Sequence, residues 1–94
     1  MPLNNATTPR RVAASETAVE LLPENPSRAL FTVFNAGATI MYLLYGPGTV
    51  SSTNFVVRIA AGGYFEAPQP CTRGRVTAIW DATASESAFV TEFV

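Results

Sequence analysis

Histidine and lysine are both missing from this 94-residue chain, and cysteine occurs once, at Cys71. Without histidine, the Ser-His-Asp and Cys-His arrangements of nucleophilic catalysis are impossible. One cysteine cannot supply the ligands of a zinc, copper or non-haem iron site, nor build an internal disulfide framework. Charge is scarce too: 14% of residues are charged and the net charge is −1, against about 25% charged in a typical domain. No strong field is available to draw nucleic acid or an anionic membrane. The longest apolar run falls far short of the ~20 residues of a membrane-spanning helix. The first residues are polar, so no secretion signal is expected. Gly46-Pro47-Gly48 lacks the Gly-Lys-Ser/Thr of a phosphate loop, and no Asp-x-Asp-x-Asp run suggests calcium. The carboxylates Glu16, Glu20, Glu24, Glu66, Asp81, Glu86 and Glu92 could form an acid/base pair, but a domain this small has little room for a sugar cleft. We therefore expect no enzyme activity, no cofactor and no small-molecule substrate.

What is present is apolar β-sequence. Hydrophobic residues make up 48% of the chain, and its length fits one domain. Residues 28–46, RALFTVFNAGATIMYLLYG, read as strands over 29–35 and 39–45, rich in β-branched and aromatic side chains. Ala36-Gly37 between them is expected to be a tight turn, with Gly37 at positive φ. Period-two alternation sets Phe31, Val33 and Asn35 on one face and Leu30, Thr32 and Phe34 on the other. In the second strand it separates Met41, Leu43 and Tyr45 from Ile40, Tyr42 and Leu44. Both faces of that strand are apolar, which a strand with one solvated face should not be.

Around this ribbon the chain shows further short strands at 16–22, 54–60, 64–67, 75–82 and 87–94. They are separated by turn signals at Pro23 and Asn25-Pro26, Gly46-Pro47-Gly48, Gly62-Gly63, Pro68-Gln69-Pro70 and residues 83–86. About seven short strands spaced in this way, with no sustained helical period, specify an all-β fold. The expected form is an antiparallel β-sandwich or jelly-roll-like barrel. Residues 1–15 are polar and carry no strong apolar period, so they read as an extended N-terminal arm. Residues 16–94 read as the single sandwich domain.

The remaining signal is surface. Ile40, Tyr42 and Leu44, helped by Leu30 and Phe34, form an apolar stripe on the second face of the ribbon. Burying each such side chain stabilises by roughly 1.5–3 kcal/mol. Left uncovered, the stripe would forgo an amount comparable with the ~5–15 kcal/mol stability of a whole domain. Either the rest of the chain covers it or another chain does, and a subunit interface is the reading taken forward. All the positive charges are arginines, which suit planar interface contacts. Arg10, Arg11, Arg73 and Arg75 are the candidates for polar contacts with neighbours. Trp80, Tyr64 and Phe65 are candidates for stacking on a sugar ring. Arg73 near Cys71 could lower that thiol's pKa, although no partner base is evident.

Several segments carry a family likeness: NPSRALFTVFNAG, IMYLLYG, VVRIAAGGYFE and RVTAIWDATASESAFVTEF. With Asn25, Pro26, Arg28, Phe31, Val33, Asn35, Gly37, Tyr42, Gly46, Ile59, Gly62 and Gly63 at the matching positions, the chain resembles small all-β virion proteins of tailed bacteriophages. It departs from their pattern at Leu44 and in the proline-flanked loop around Cys71. The resemblance implies a structural role without a reaction. That role would be a head decoration, or cement, protein on the outer capsid surface of the virion, assembled in the host cytoplasm. Its partners would be itself, as a homotrimer, and the major capsid protein. A tail, baseplate or fibre component and a small carbohydrate-binding sandwich are the alternatives.

Overall fold

The computed structural model describes residues 9–82 and 87–94. Residues 1–8 of the expected arm and the expected turn at 83–86 lie outside the described residues. Eight strands follow one another: β1 (Arg10–Ala13), β2 (Val19–Leu22), β3 (Leu30–Asn35), β4 (Met41–Tyr45), β5 (Val57–Ile59), β6 (Tyr64–Glu66), β7 (Val76–Trp80) and β8 (Ser87–Phe93). They form two antiparallel four-stranded sheets, ordered β1-β8-β3-β6 and β2-β7-β4-β5. Every pairing joins the first half of the chain to the second, and four of them, β1 with β8, β2 with β7, β3 with β6 and β4 with β5, nest one inside the next. The chain is thus a long ribbon doubled back at the 46–56 loop and wrapped across two sheets.

The strand beyond the seven expected is β1, which falls inside the presumed arm. Arg10–Ala13 pairs with β8 of the same chain, in the register Arg11 to Phe89 and Val12 to Ala88. Val12 packs on the core. One inward valine and a row of backbone bonds are enough to dock this segment, so from Arg10 onward the arm belongs to the sandwich.

Period-two alternation delivers the core. Phe31 and Val33 of β3, Met41 and Leu43 of β4, Val76, Ala78 and Trp80 of β7, and Ala88 and Val90 of β8 are all buried in one cluster between the sheets. Leu21, Leu22 and Ile59 complete it. The Phe31 ring meets Tyr45 edge-on at 6.1 Å, a favoured aromatic geometry.

The expected turn between β3 and β4 is not a hairpin. β3 pairs with β8 and β6, β4 pairs with β7 and β5, and residues 36–40 carry the chain from one sheet to the other. Stacked sheets lie about 10 Å apart, a gap that five residues span. The crossing is held by Asn35, which is fully buried. Its Nδ2 donates to the carbonyls of Thr39 (2.9 Å), Ile59 (3.1 Å) and Ala60 (3.2 Å). Its Oδ1 accepts from the Gly37 amide at 3.0 Å and from Trp80 Nε1 at 3.1 Å. Gly37 does not have the expected positive φ; that conformation belongs to Gly46, Gly48 and Gly62. Its requirement is space, since a Cβ there would come within 3.0 Å of Asn35 Oδ1 and 3.1 Å of Trp80 Nε1.

A second polar knot closes the other end of β3. Arg28 is fully buried. Its guanidinium donates to Glu92 Oε2 at 2.8 Å and to the carbonyls of Pro23 (2.6 Å), Thr72 (2.9 Å) and Gly74 (2.9 Å). Asn25 shapes the preceding turn by accepting from the Ser27 amide at 3.0 Å, and its Nδ2 donates to Glu92 at 3.3 Å. A buried cation is tolerated only when its donors are met and its charge is paired, and both conditions hold here.

Removing the Asn35 side chain strands several buried groups at once, each costing about 1–3 kcal/mol. Asn35→Ala should therefore lower unfolding stability by about 3–5 kcal/mol in urea titrations. A loss under about 1 kcal/mol would mean that the crossing does not depend on this side chain.

Candidate interaction surface

The five residues expected to form one apolar stripe are divided between the two sheets. Leu30 and Phe34 lie on β3; Tyr42 and Leu44 lie on β4 in the other sheet, with Ile40 just before it. The chain itself covers the β4 members. Gly46 and Gly48, both at positive φ, start a loop over 46–56 that returns across the outer face of the second sheet. It seats Val50 against Tyr42 and Leu44, with Ile40 and Ile79 alongside. The Phe55 ring lies 5.1 Å from that of Tyr42. The Val56 amide donates to the Leu43 carbonyl at 2.8 Å, pinning the loop to β4. Tyr42 and Leu44 are left 7% and 9% exposed. A hydrogen bond to Asp81, with burial second, pushes the Tyr42 phenol above its usual range. The expected subunit contact through Tyr42 and Leu44 is thus corrected: their partner is an internal loop. Ile40 is half-buried beside them, and Leu30 is half-buried against the main core. The sequence signal for this cover was Val50 and Phe55, two apolar residues flanking a run of serine and threonine.

Phe34 is different. The outer face of the β1-β8-β3-β6 sheet carries a row of directly opposed residues, one from each strand: Arg11, Phe89, Phe34 and Tyr64. Phe34 and Phe89 stack at 6.5 Å with 19° between their planes. They remain 41% and 42% exposed, and Tyr64 is 62% exposed. One register step along, Thr91, Thr32 and Glu66 form a second, polar row. Arg11 Nε donates to Ser87 Oγ at 3.1 Å, which lays the side chain along the sheet and uses one of its five donors. The row spans three inter-strand spacings, about 14 Å. Of the five interface candidates only Phe34 is exposed on this surface, and sequence reasoning missed its neighbours Phe89 and Tyr64 there because register, not sequence distance, brings them together.

The other candidates are dispersed. Arg10 and Arg11 lie on β1 at an edge of the first sheet, and both are exposed. Arg73 is exposed and its Nε donates to the Arg28 carbonyl at 3.1 Å. Arg75 is exposed just before β7, in the second sheet. They do not form one basic patch. Of the three rings considered for sugar stacking, only Tyr64 faces outward. Trp80 is buried and bonded to Asn35, and Phe65 packs inward against Phe31 at 6.1 Å. Among the described residues there is no enclosed pocket and no cluster of metal-ligating side chains. No family model, curated protein or solved structure matches the chain.

Cys71 is half-buried, and its thiol donates to the Thr72 carbonyl at 3.2 Å. Burial pushes its pKa up, outweighing the opposing effect of Arg28 and Arg73. Arg73 lowers the thiol pKa as expected, but burial dominates and the net shift is upward.

Two measurements check this picture. Leu44→Ala should cost about 2–4 kcal/mol as a buried truncation, whereas Phe34→Thr, on an exposed β position, should cost about 1 kcal/mol. Equal losses in denaturant titrations would contradict the difference in cover. For Cys71, the alkylation rate of the folded chain should rise with a midpoint at higher pH than in the urea-unfolded chain. A midpoint at equal or lower pH would show that the thiol is not held protonated.

Proposed function

We propose that this chain is a structural protein of a tailed-phage virion, a head decoration protein that binds the outer capsid surface and holds neighbouring subunits together. The observation that carries the reading is the exposed Phe89–Phe34–Tyr64 row on an otherwise well-packed small sandwich. Aromatic residues are enriched and most charges depleted at the centres of protein interfaces, and this row has that character. The pairing of β1 with β8, β2 with β7, β3 with β6 and β4 with β5 is the order of a jelly roll, an architecture used in viral capsid proteins as well as in lectins. The sequence resemblance adds the virion context.

The mechanism is linkage. A protein that binds only the assembled shell, through the major capsid protein and further copies of itself, opposes disassembly in proportion to its saturation. Apolar burial at the aromatic row, between neighbouring copies on the shell, adds to the affinity, and rim arginines such as Arg11 set orientation. A tail, baseplate or fibre subunit would use the same kind of surface at a different place on the particle.

The test is co-sedimentation with purified heads and purified tails of the parent virus, each lacking this protein. Saturable binding to heads, together with a raised melting temperature of the shell, is the expected result. Phe34→Thr combined with Phe89→Thr should weaken that binding at least about tenfold, the loss of about 1.4 kcal/mol or more. Binding to tails alone would replace the decoration reading with the tail one. No binding to either, or equal binding by the double variant, would refute the proposal.

A further inference from the structure

We infer that the occupant of the aromatic row is a second copy of this chain, stacked face to face across the outer surface of the β1-β8-β3-β6 sheet. The two ends of the row differ in charge. Arg11 stands at the β1 edge; Tyr64 and, one row along, Glu66 stand at the β6 edge. Glu66 is exposed, as is Arg11. The two charges lie on opposite edges with β8 and β3 between them, about 14 Å apart, so they cannot pair within one copy.

A two-fold axis lying between the stacked faces and parallel to the strands turns the row end for end. Phe89 of one copy then faces Phe34 of the other, and the relation repeats by symmetry. Arg11 comes over the Tyr64 ring of the second copy, a cation–π arrangement. Glu66 of that copy is two residues along the strand, about 6.6 Å away and on the side opposite Ser87, so Arg11 exchanges its Ser87 bond for this contact when the copies pair. Face-to-face sheets pack about 10 Å apart, the thickness that interleaved rings fill. The surface is therefore complementary to itself in both shape and charge. A neutral glycan would leave its opposite end charges unmatched.

The face is small. Strands of four, seven, six and three residues give about 300 Å² per copy, well under half of the ~800 Å² per partner of a standard interface. The free pair should accordingly be weak, with a dissociation constant of the order of 100 µM, and salt-sensitive because its charged contact is at the rim. It is a two-fold contact, so a homotrimer would need a different surface. The inference rests on the proposed function only in taking this face to be an assembly surface.

Sedimentation equilibrium of the free protein from about 10 µM to 1 mM is the test. Its variants are Arg11→Glu, Glu66→Arg and the two combined, with circular dichroism to confirm that each folds. The wild type should show a monomer–dimer equilibrium. Each single reversal should weaken it at least about fivefold, by setting like charges opposite one another. The double reversal should restore it to within about threefold, which only contact between copies can do. A wild type monomeric throughout, or a double variant no better than the singles, overturns the pairing. Head binding by a monomeric wild type would overturn the pairing while leaving the decoration role standing. Dimerisation without head or tail binding would do the reverse.

Discussion

One buried amide decides how this chain is connected. Asn35 ends β3 where the polypeptide leaves one sheet for the other, and a crossing of that kind exposes backbone groups inside the core. A buried carbonyl without a partner is costly. Asn35 has both donors and an acceptor, so it can serve the link (Thr39, Gly37), the end of β5 and the residue after it (Ile59, Ala60) and the indole of Trp80 together. An aspartate lacks the donors, and a leucine lacks everything but volume. Gly37 follows from the same constraint, because any side chain there would press on the pair that Asn35 and Trp80 form. At the opposite end of β3, Arg28 does the equivalent work for the carbonyls of Pro23, Thr72 and Gly74, with Glu92 balancing its charge. The central strand is clamped at both ends by polar groups and filled between them by Phe31 and Val33.

The crossing also determines which apolar surface is hidden. Because β3 and β4 belong to different sheets, their outward side chains point away from each other across the whole sandwich. The β4 face is closed by the 46–56 loop, which supplies Val50 and Phe55. The β3 face keeps its rings exposed at Phe34, Phe89 and Tyr64. Two strands that looked alike in their alternation thus meet different fates. The side chains of one are covered by a loop of the same chain, and the rings of the other stay exposed.

A flat face works differently from a cleft. It cannot enclose a small molecule, but it can add area to area, and aromatic rings contribute much area with little entropy to lose. The chain's low charge, its arginine-only cations and its compact polar knots are consistent with a part whose business is to be held and to hold. In the proposed role a weak pairwise contact is adequate, since many copies on one particle would act together.

Several features were legible in the residues alone. The shared faces of Phe31 with Val33 and of Met41 with Leu43 followed from period-two alternation, because a strand has only two faces; that Trp80 is buried rather than a stacking ring did not. The turns at Asn25-Pro26 and Gly62-Gly63 followed from the restricted backbone of proline and the freedom of glycine. The all-β class followed from many short strands between such turns. Local sequence could not say which strands become neighbours, since pairing is a long-range choice made by whole-core packing. For that reason local sequence suggests an arm over β1, a hairpin over β3 and β4, and a subunit contact at Tyr42 and Leu44. The same limit applied to the row of Arg11, Phe89, Phe34 and Tyr64, four residues scattered through the chain that only antiparallel register sets side by side. Composition and periodicity determined what had to be buried; the tertiary structure decided what was left outside, because exposure depends on which distant segment comes to lie on top.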